Sequence, residues 1–260
     1  MKFTLEQLEK MMEEHHGDLT FIGMDIDSLP EGLIVKGSLV LSNCTIDTLP
    51  NDIIIGKNLS VVRTRINSLP DNFTVRGTLY ANYSTLMHLP NNLTVGGDLH
   101  IERSLINKLP SGLRVGGTLY MDYTWITELP KDISVVGNIY ANYSALQRLP
   151  MNLSIGGSLY VAHTQIDSLP NGLIATHVDA SHSRLASVNP DIHIKGSLLI
   201  DYTPVQALSS MLKVGKDLSI RYTGITEILE GLTVGGNLYT HGTQIDYIPE
   251  RNNIKGSIVQ

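Results

Sequence analysis

The stretch Asn91–Pro110, NNLTVGGDLHIERSLINKLP, decides the fold, because its pattern returns every twenty residues on both sides. The closing Leu-Pro pair recurs without slippage from Leu29–Pro30 to Leu169–Pro170. A period of this length means that a single unit cannot bury its apolar face alone and must stack on its neighbours. The sequence therefore predicts a solenoid.

Within the unit, the apolar residues have the spacing of strands. Leu93–Val95 and Leu99–Ile101 alternate with period two, as in a strand with one buried face. Gly97 marks a bend at which a side chain would clash or φ must be positive. The closing Leu-Pro predicts an extended corner, because proline cannot donate to an interior ladder. Each unit is thus one coil, and we expect the Leu-x-Leu segments of successive coils to pair in parallel about 4.8 Å apart.

The residues before the first coil predict a helix. Thr4 and Gln7 fit a capping box, and Gly17 fits a helix stop. We expect residues 1–17 to be a capping helix that covers the open first coil. Residues 18–260 are then one solenoid of about eleven twenty-residue coils with partial coils at the ends. The predicted fold class is all-β, a parallel β-solenoid with a short N-terminal capping helix.

The repeat is irregular towards its C-terminal end. The unit Asn171–Asn189 is one residue short and lacks the bend glycine, and Asn189–Pro190 replaces Leu-Pro. This irregularity predicts a change of curvature or an inserted contact surface, and ordinary drift of the repeat is the alternative. The last coil stops at Gln260, and its open edge is expected to pair with a second copy in a homodimer, to pair with a partner strand, or to fray.

Composition excludes several classes of function. The net charge is −6 with a pI near 5.8, and no run of Lys or Arg occurs, so nucleic acid and anionic membrane surfaces are not expected partners. The single cysteine, Cys44, excludes an internal disulfide framework and favours a reducing compartment. The N-terminus is too charged for a signal peptide. We expect a soluble, cytoplasmic protein, in the producing or the invaded cell.

One position after each strand is small and hydroxylic or thiol-bearing. It is held by Cys44, Thr64, Ser84, Ser104, Thr124, Ser144, Thr164, Ser183, Thr203, Thr223 and Thr243. Stacked from coil to coil, these groups are expected to form an internal ladder that satisfies backbone groups at the turn.

The Leu-Pro punctuation, the Leu-x-Leu-x-x-(small polar)-x-Ile core and the helical cap resemble the short bacterial leucine-rich repeats. This twenty-residue class occurs in secreted effectors of enteric pathogens and in some phage and prophage proteins. The resemblance covers Leu19 to about Ile258 and implies a solenoid whose strand face binds other proteins. Two features depart from the family: Thr, Ser or Cys replaces the usual Asn after the strand, and Val-x-Gly interrupts the stretch before it. The ubiquitin-ligase members use a nucleophilic Cys in a C-terminal domain, and no residue here matches it, so we expect no enzyme activity.

Residues that the fold does not need form two columns along the strands. Ten of the eleven tyrosines lie in these columns, together with Arg and His, which is the composition of protein-binding hot spots. An aromatic ladder that only stabilises neighbouring coils is the alternative. The candidate partner-binding residues are Tyr80, Tyr83, His100, Glu102, Arg103, Tyr120, Asp122, Tyr123, Tyr140, Tyr143, Tyr160, His163 and His182.

The sequence favours a non-enzymatic protein-binding module, an effector or inhibitor that sequesters a host or competitor protein and is encoded by a phage. The alternative is a carbohydrate-binding or glycoside-cleaving solenoid that uses the same tyrosines with Glu102 and Asp122 as a carboxylate pair. His163 and His182 suggest a surface metal site near Asp179, but exposed histidines without a fixed motif are more typical of partner contacts. No metal and no cofactor are therefore expected.

Overall fold

The computed structural model describes all 260 residues, which fall into two compact units. The first unit comprises Met1–Ile126 with Asp132–Val136, and the second comprises Thr127–Lys131 with Gly137–Gln260. Within each unit, successive coils pair through parallel strands, so the predicted parallel β-solenoid is confirmed. The assignment of residues 1–17 as a separate cap stays a prediction.

The chain begins with one amphipathic helix, α1 (Leu5–Glu14). The Gln7 amide donates to Thr4 Oγ1 at 3.2 Å, and the Thr4 amide donates to Gln7 Oε1 at 2.9 Å. This reciprocal pair is the predicted capping box, which satisfies two amides that the first turn leaves unpaired. Leu8 and Met12 are the buried residues of the helix, so one face of α1 packs on the first unit.

The strands of the first unit are two residues long and lie in two parallel sheets. In chain order they are β1 (Leu19–Thr20), β2 (Ile34–Val35), β3 (Leu39–Val40), β4 (Ile54–Ile55), β5 (Leu59–Ser60), β6 (Thr74–Val75), β7 (Leu79–Tyr80), β8 (Thr94–Val95), β9 (Leu99–His100), β10 (Arg114–Val115), β11 (Leu119–Tyr120) and β12 (Ser134–Val135). The odd-numbered strands form the main sheet in chain order, while β2-β4 and β6-β8-β10-β12 form the second face. Leu79 pairs with Leu99 and Val75 with Val95, so the period of the sequence is the register of both faces.

The second unit has the same arrangement. Its strands are β13 (Ile139–Tyr140), β14 (Leu159–Tyr160), β15 (Ser168–Leu169), β16 (Ile174–Ala175), β17 (Val178–Asp179), β18 (Ser187–Val188), β19 (His193–Ile194), β20 (Leu198–Leu199), β21 (Lys213–Val214), β22 (Leu218–Ser219), β23 (Thr233–Val234), β24 (Leu238–Tyr239), β25 (Asn253–Ile254) and β26 (Ile258–Val259). The main sheet is β13-β14-β17-β20-β22-β24-β26, and β16-β19-β21-β23-β25 form the second face. β15 pairs with β18 at the corner that Leu-Pro closes.

The core of each coil is a ring of aliphatic side chains. In the coil that begins at Asn91, Leu93, Leu99, Ile101 and Ile106 are fully buried. Each contributes on the order of 2 kcal/mol by leaving water. Because the same positions repeat in the neighbouring coils, the rings stack into one continuous apolar interior within each unit.

The bend glycines are required by close approach rather than by positive φ. A Cβ on Gly97 would lie 2.7 Å from Thr78 Oγ1 and 3.0 Å from the Gly77 carbonyl carbon. In the second unit, a Cβ on Gly215 would lie 2.1 Å from the Lys195 carbonyl oxygen. Of the two reasons that the sequence leaves open for these glycines, the clash with the preceding coil is the one that applies.

The short unit Asn171–Asn189 accommodates its missing residue at the bend. Strand pairing passes through it without interruption, since Val178 pairs with Leu159 before it and Leu198 after it. His177 occupies the bend, and its Nδ1 accepts the Ser197 amide at 2.9 Å. The coil is therefore shortened, with no inserted loop.

The hydroxyl position caps the turn of its own coil. Thr64 Oγ1 donates to the Val61 carbonyl at 2.8 Å, and Ser84 Oγ donates to the Ala81 carbonyl at 2.6 Å. The same bond is made by Ser104, Thr124, Ser144, Thr164, Ser183, Thr203, Thr223 and Thr243. The hydroxyls thus satisfy backbone groups at the turn, as predicted, and each one bonds a carbonyl of its own coil.

Replacing a bend glycine should destabilise the second unit. We expect Gly215→Ala to lower the free energy of unfolding by about 1–3 kcal/mol, because its methyl group meets a backbone oxygen that cannot move freely. Gly224→Ala is the matched control, since its Cβ would meet no atom closer than 3.4 Å. Urea unfolding measures both variants, and an equal loss in the two would contradict the steric argument.

Removing one hydroxyl cap should cost about 0.5–1.5 kcal/mol of unfolding free energy, because the buried Val61 carbonyl loses its shorter hydrogen bond and keeps only the Thr64 amide at 3.3 Å. Thr64→Val preserves the shape of a side chain that is 2% exposed. Thr74→Val, at an exposed strand position, makes the same chemical change where no buried carbonyl depends on the hydroxyl. If both variants unfold at the same urea concentration, the cap does not stabilise the coil.

Candidate partner-binding surface

Two columns of outward-facing side chains run along the main sheet of each unit. The strand column takes the second residue of each main-sheet strand, and the turn column takes the residue three positions later. In the first unit the strand column includes Tyr80, His100 and Tyr120, and the turn column includes Arg63, Tyr83, Arg103 and Tyr123. In the second unit the strand column includes Tyr140 and Tyr160, and the turn column includes Tyr143, His163, His182, Tyr202 and Tyr222.

Every residue of the turn columns has a left-handed backbone. φ is 55° at Tyr83, 55° at Arg103 and 57° at His163, and Asn43 holds the equivalent place with φ 59°. For residues with a Cβ this conformation costs roughly 1–2 kcal/mol. The sequence analysis did not predict this conformation, although the sequence carries a signal for it: the position accepts Asn, Gly, Arg, His and Tyr, but no β-branched residue.

Backbone hydrogen bonds hold this turn in place. In the first unit the Tyr83 amide donates to the Glu102 carbonyl at 3.2 Å, and the Ala81 amide donates to the His100 carbonyl at 2.8 Å. In the second unit the Tyr202 amide donates to the Arg221 carbonyl at 2.9 Å. The parallel ladder therefore extends past the two-residue strands, and it gives successive column residues the same direction.

In the first unit, the strand column is a stack of rings. His100 lies 4.9 Å from Tyr80 and 4.3 Å from Tyr120 between ring centroids, with interplanar angles of 17° and 7°. Aromatic pairs of this kind stabilise by about 0.5–1.5 kcal/mol each. The strand column thus serves as the stabilising ladder that the sequence allowed.

The turn column of the first unit alternates arginine and tyrosine. The Arg63 Cζ lies 5.3 Å from the Tyr83 ring centroid, and the Arg103 Cζ lies 6.0 Å from Tyr83 and 4.1 Å from Tyr123. Each cation–π contact at an exposed site contributes roughly 0.5–1 kcal/mol. The two tyrosines nevertheless remain 47% and 45% exposed, so the column is ordered and accessible at once.

In the second unit, the turn column is a continuous aromatic stack. Centroid distances are 4.3 Å for Tyr143–His163, 4.6 Å for His163–His182, 4.4 Å for His182–Tyr202 and 4.4 Å for Tyr202–Tyr222. Partial desolvation raises the pKa of Tyr202, and neighbouring Tyr222 raises it further. The Tyr202 hydroxyl therefore stays protonated at neutral pH and can donate a hydrogen bond.

The second unit also contains an ion pair between a buried aspartate, Asp201, and a half-exposed arginine, Arg221. Asp201 Oδ2 accepts from Arg221 Nε at 2.9 Å and from Nη2 at 2.7 Å, while Oδ1 accepts from Ser219 Oγ at 2.6 Å. These bonds to Asp201 raise the pKa of Arg221. Asp201 is 6% exposed, whereas the Arg221 side chain is 47% exposed, so the carboxylate is buried while its guanidinium partner lies at the surface.

The residues considered for a metal are otherwise engaged. The rings of His163 and His182 lie parallel, 3° apart, so their in-plane lone pairs do not converge on one point. Asp179 Oδ1 accepts the Ser181 amide at 3.0 Å. No group of three or more His, Cys, Asp and Glu residues is arranged to hold a metal ion. The geometry gives the metal alternative no support.

The proposed carboxylate pair lies at the turn between the two columns of the first unit. Glu102 Oε1 lies 3.4 Å from His100 Nδ1, and the side chain is 24% exposed. Its Oε2 has no hydrogen-bond partner. Asp122 occupies the equivalent position one coil later. Glu102 is thus directed towards the histidine of its own coil.

Two exposed apolar residues beside the turn column of the first unit were missed from sequence. Trp125, the only tryptophan, is 70% exposed, and Leu105, one coil earlier, is 50% exposed. They lie two positions after Tyr123 and Arg103 respectively. A single tryptophan at a position that Arg65 and Gln165 hold in other coils was the available signal. These two residues add exposed apolar area to the candidate surface of the first unit.

No protein-family model matches the chain. No curated protein is similar to it in sequence. Among solved structures, YopM from Yersinia enterocolitica WA-314 is similar over 98% of this chain and 68% of its own, with 18% sequence identity and a TM-score of 0.49. A likeness at this level says nothing of function. No helix of this chain has the length and apolar composition that crossing a membrane requires.

The left-handed turn should decide which substitutions the column tolerates. We expect Tyr83→Asn to be better tolerated than Tyr83→Val by about 1–2 kcal/mol of unfolding free energy, because Asn adopts positive φ readily and a β-branched side chain does not. Both variants lose the tyrosine ring and its contact with Arg63. Urea unfolding of the two proteins therefore isolates the backbone effect, and equal stability would mean that the turn can change its conformation.

Proposed function

We propose that this protein is a non-enzymatic protein-binding module that acts through its turn and strand columns. The observation that carries the proposal is the half-exposed, already ordered state of the turn-column tyrosines: Tyr83, Tyr123 and Tyr143 are 47%, 45% and 50% exposed. Purely structural ladder residues need not present this much of their surface to solvent.

Order in the free protein favours affinity. Immobilising a flexible side chain on binding costs about 0.5–1.5 kcal/mol, and that cost is smaller where the side chain is already held. In the second unit each ring between Tyr143 and Tyr222 is held by stacking on its neighbours. In the first unit Arg63 and Arg103 hold Tyr83. A partner thus meets rigid amphipathic groups.

The composition of the first unit's surface supports a protein as the ligand. Tyr, Trp and Arg are the residues most enriched among interface hot spots. The turns of two successive coils bring such residues together here. Arg103 lies in the first turn, and Tyr123 and Trp125 lie in the second. Leu105 adds exposed apolar area beside them. Such a cluster has the composition of the hot spots that lie near the centre of an interface.

A carbohydrate ligand fits this geometry less well. Sugars stack on open faces of aromatic rings, whereas the faces of His163, His182 and Tyr202 are covered by neighbours 4.3–4.6 Å away. What these columns offer to a ligand is ring edges and hydroxyl groups, which suit the mixed surface of a protein. Within this function, we propose the role of a cytoplasmic effector or inhibitor that occupies its partner's surface. The family resemblance of the repeats is the basis for that role.

Substituting the turn column should abolish partner binding without unfolding the protein. We expect Tyr83→Asn with Tyr123→Asn to weaken binding at least 100-fold, because hot-spot truncations cost about 2 kcal/mol or more each. Asn is chosen because it accepts the left-handed turn, as at Asn43. The measurement is capture of a partner by the wild type, followed by calorimetric titration of that purified partner with wild type and variant.

The matched control removes exposed apolar area elsewhere on the same unit. Ile34→Thr with Ile54→Thr changes two strand residues of the second face that are 54% and 50% exposed. This control should bind like the wild type. Loss of binding in both double variants would contradict a specific role for the column. Cleavage of a glycan by the wild type that Glu102→Gln with Asp122→Asn abolishes would favour the glycosidase instead.

A further inference from the structure

We infer that the turn column of the first unit recognises carboxylates, so that its partner presents an acidic segment with two Asp or Glu side chains about 10 Å apart. This inference rests on the proposed protein-binding function and specifies its chemistry. It goes beyond aromatic contact, because it assigns the principal role to the guanidinium groups of Arg63 and Arg103.

Neither arginine has an acidic partner within the protein. The ion pairs of the chain involve the N-terminus, His100, Arg221 and Arg251, and none involves Arg63 or Arg103. Arg221 illustrates the alternative, since its guanidinium is bonded twice to Asp201. The two turn-column arginines therefore have donor groups that only solvent or a ligand can satisfy.

The tyrosines orient these donors towards a ligand. The Arg103 Cζ lies 4.1 Å from the Tyr123 ring centroid, and the Arg63 Cζ lies 5.3 Å from that of Tyr83. A guanidinium attracted to a ring face makes no hydrogen bond through that contact, so its five N–H donors remain available to a ligand. Planar N–H pairs match the two oxygens of a carboxylate, and such bidentate bonds are about twice as strong as neutral ones.

The nearest acidic side chain in sequence is directed elsewhere. Glu102 precedes Arg103, but its carboxylate lies 3.4 Å from His100 Nδ1 and makes no ion pair with the arginine. The backbone keeps the two side chains apart, because Arg103 has a left-handed conformation with φ 55° and its side chain therefore points away from that of Glu102. Arg103 is therefore not neutralised by a direct contact with its neighbour.

The spacing of the arginines defines the ligand. Arg63 and Arg103 lie two coils apart, which is roughly 10 Å at about 4.8 Å per coil. Tyr83 lies between them, and Leu105 and Trp125 are exposed beside the column. A fitting segment therefore carries two carboxylates about 10 Å apart with apolar side chains between them. In a polyproline II segment, which has three residues per turn and rises about 3.1 Å per residue, residues three apart lie on the same face about 9 Å from each other.

Trp125 provides a reporter for the test. It is the only tryptophan and lies two residues from Tyr123, so tryptophan fluorescence reports on this surface alone. The probe is the acetylated peptide amide Glu-Glu-Leu-Leu-Glu-Glu, in which the inner glutamates are three residues apart. The full chain is titrated with it at low salt, with fluorescence and calorimetry as readouts. The matched probe replaces each Glu with Lys.

We expect the acidic peptide to bind the wild type at least tenfold more tightly than the variant Arg63→Asn with Arg103→Asn, and binding to weaken as salt is added. Asn again preserves the left-handed turn. The control variant, Lys57→Gln with Arg76→Gln, removes the same charge from exposed positions of the first unit outside the columns. It should bind the acidic peptide like the wild type.

Equal binding by the wild type and the Arg63/Arg103 variant, or equal weakening in both variants, would overturn the inference. So would tighter binding of the Lys peptide, or of a peptide with phosphoserine in place of the inner glutamates. If a captured protein depends on Tyr83 and Tyr123 but not on the two arginines, the proposed function stands and this inference falls. If binding of the acidic peptide requires the two arginines but no protein partner is captured, the carboxylate site stands and the proposed protein-binding function falls.

Discussion

The structure of each unit depends on one constraint: the parallel pairing of every coil with its neighbours in a twenty-residue register. In the main sheet of the first unit, the Leu79, Ala81 and Tyr83 amides donate to carbonyls of the next coil at 2.8–3.2 Å. On the second face, the Gly96 amide donates to the preceding coil at 2.8 Å. A coil is therefore bonded on both sides, and equivalent side chains are placed directly above one another. The apolar rings, the hydroxyl caps and both columns follow from this repetition.

The same pairing explains how a costly turn is maintained. A left-handed conformation at a tyrosine or arginine is unfavourable by roughly 1–2 kcal/mol, and it recurs in coil after coil. Three contributions oppose that cost: the amide bond of the turn residue to the next coil, the buried hydroxyl cap, and stacking along the column. Because stacking is available only when neighbours adopt the same turn, the turn and the column stabilise each other. The accessible binding surface is thus a consequence of how the coil closes.

Much of the fold could be predicted from sequence, since repetition makes each local signal appear many times. The capping box at Thr4 and Gln7, the parallel register and the bend glycines were all readable from spacing. The hydroxyl position and its role at the turn were also predicted, but the carbonyl that each hydroxyl reaches was not, because sequence shows which groups recur and not which atoms they contact. The turn column was read as the end of a strand. Its missing β-branched residues were the only sign of positive φ.

At the candidate surface, too, sequence and tertiary structure determined different things. Sequence by itself determined that tyrosines concentrate in two columns, because a twenty-residue period in a parallel solenoid places equivalent positions side by side. Only the tertiary structure decided how those residues are used: His100 is enclosed between two rings, Arg63 and Arg103 lie over tyrosines without an acidic partner, and Trp125 is exposed. The physical reason is that periodicity specifies which residues are neighbours, whereas rotamers, ion pairing and exposure depend on the backbone conformation at each turn and on every side chain around it.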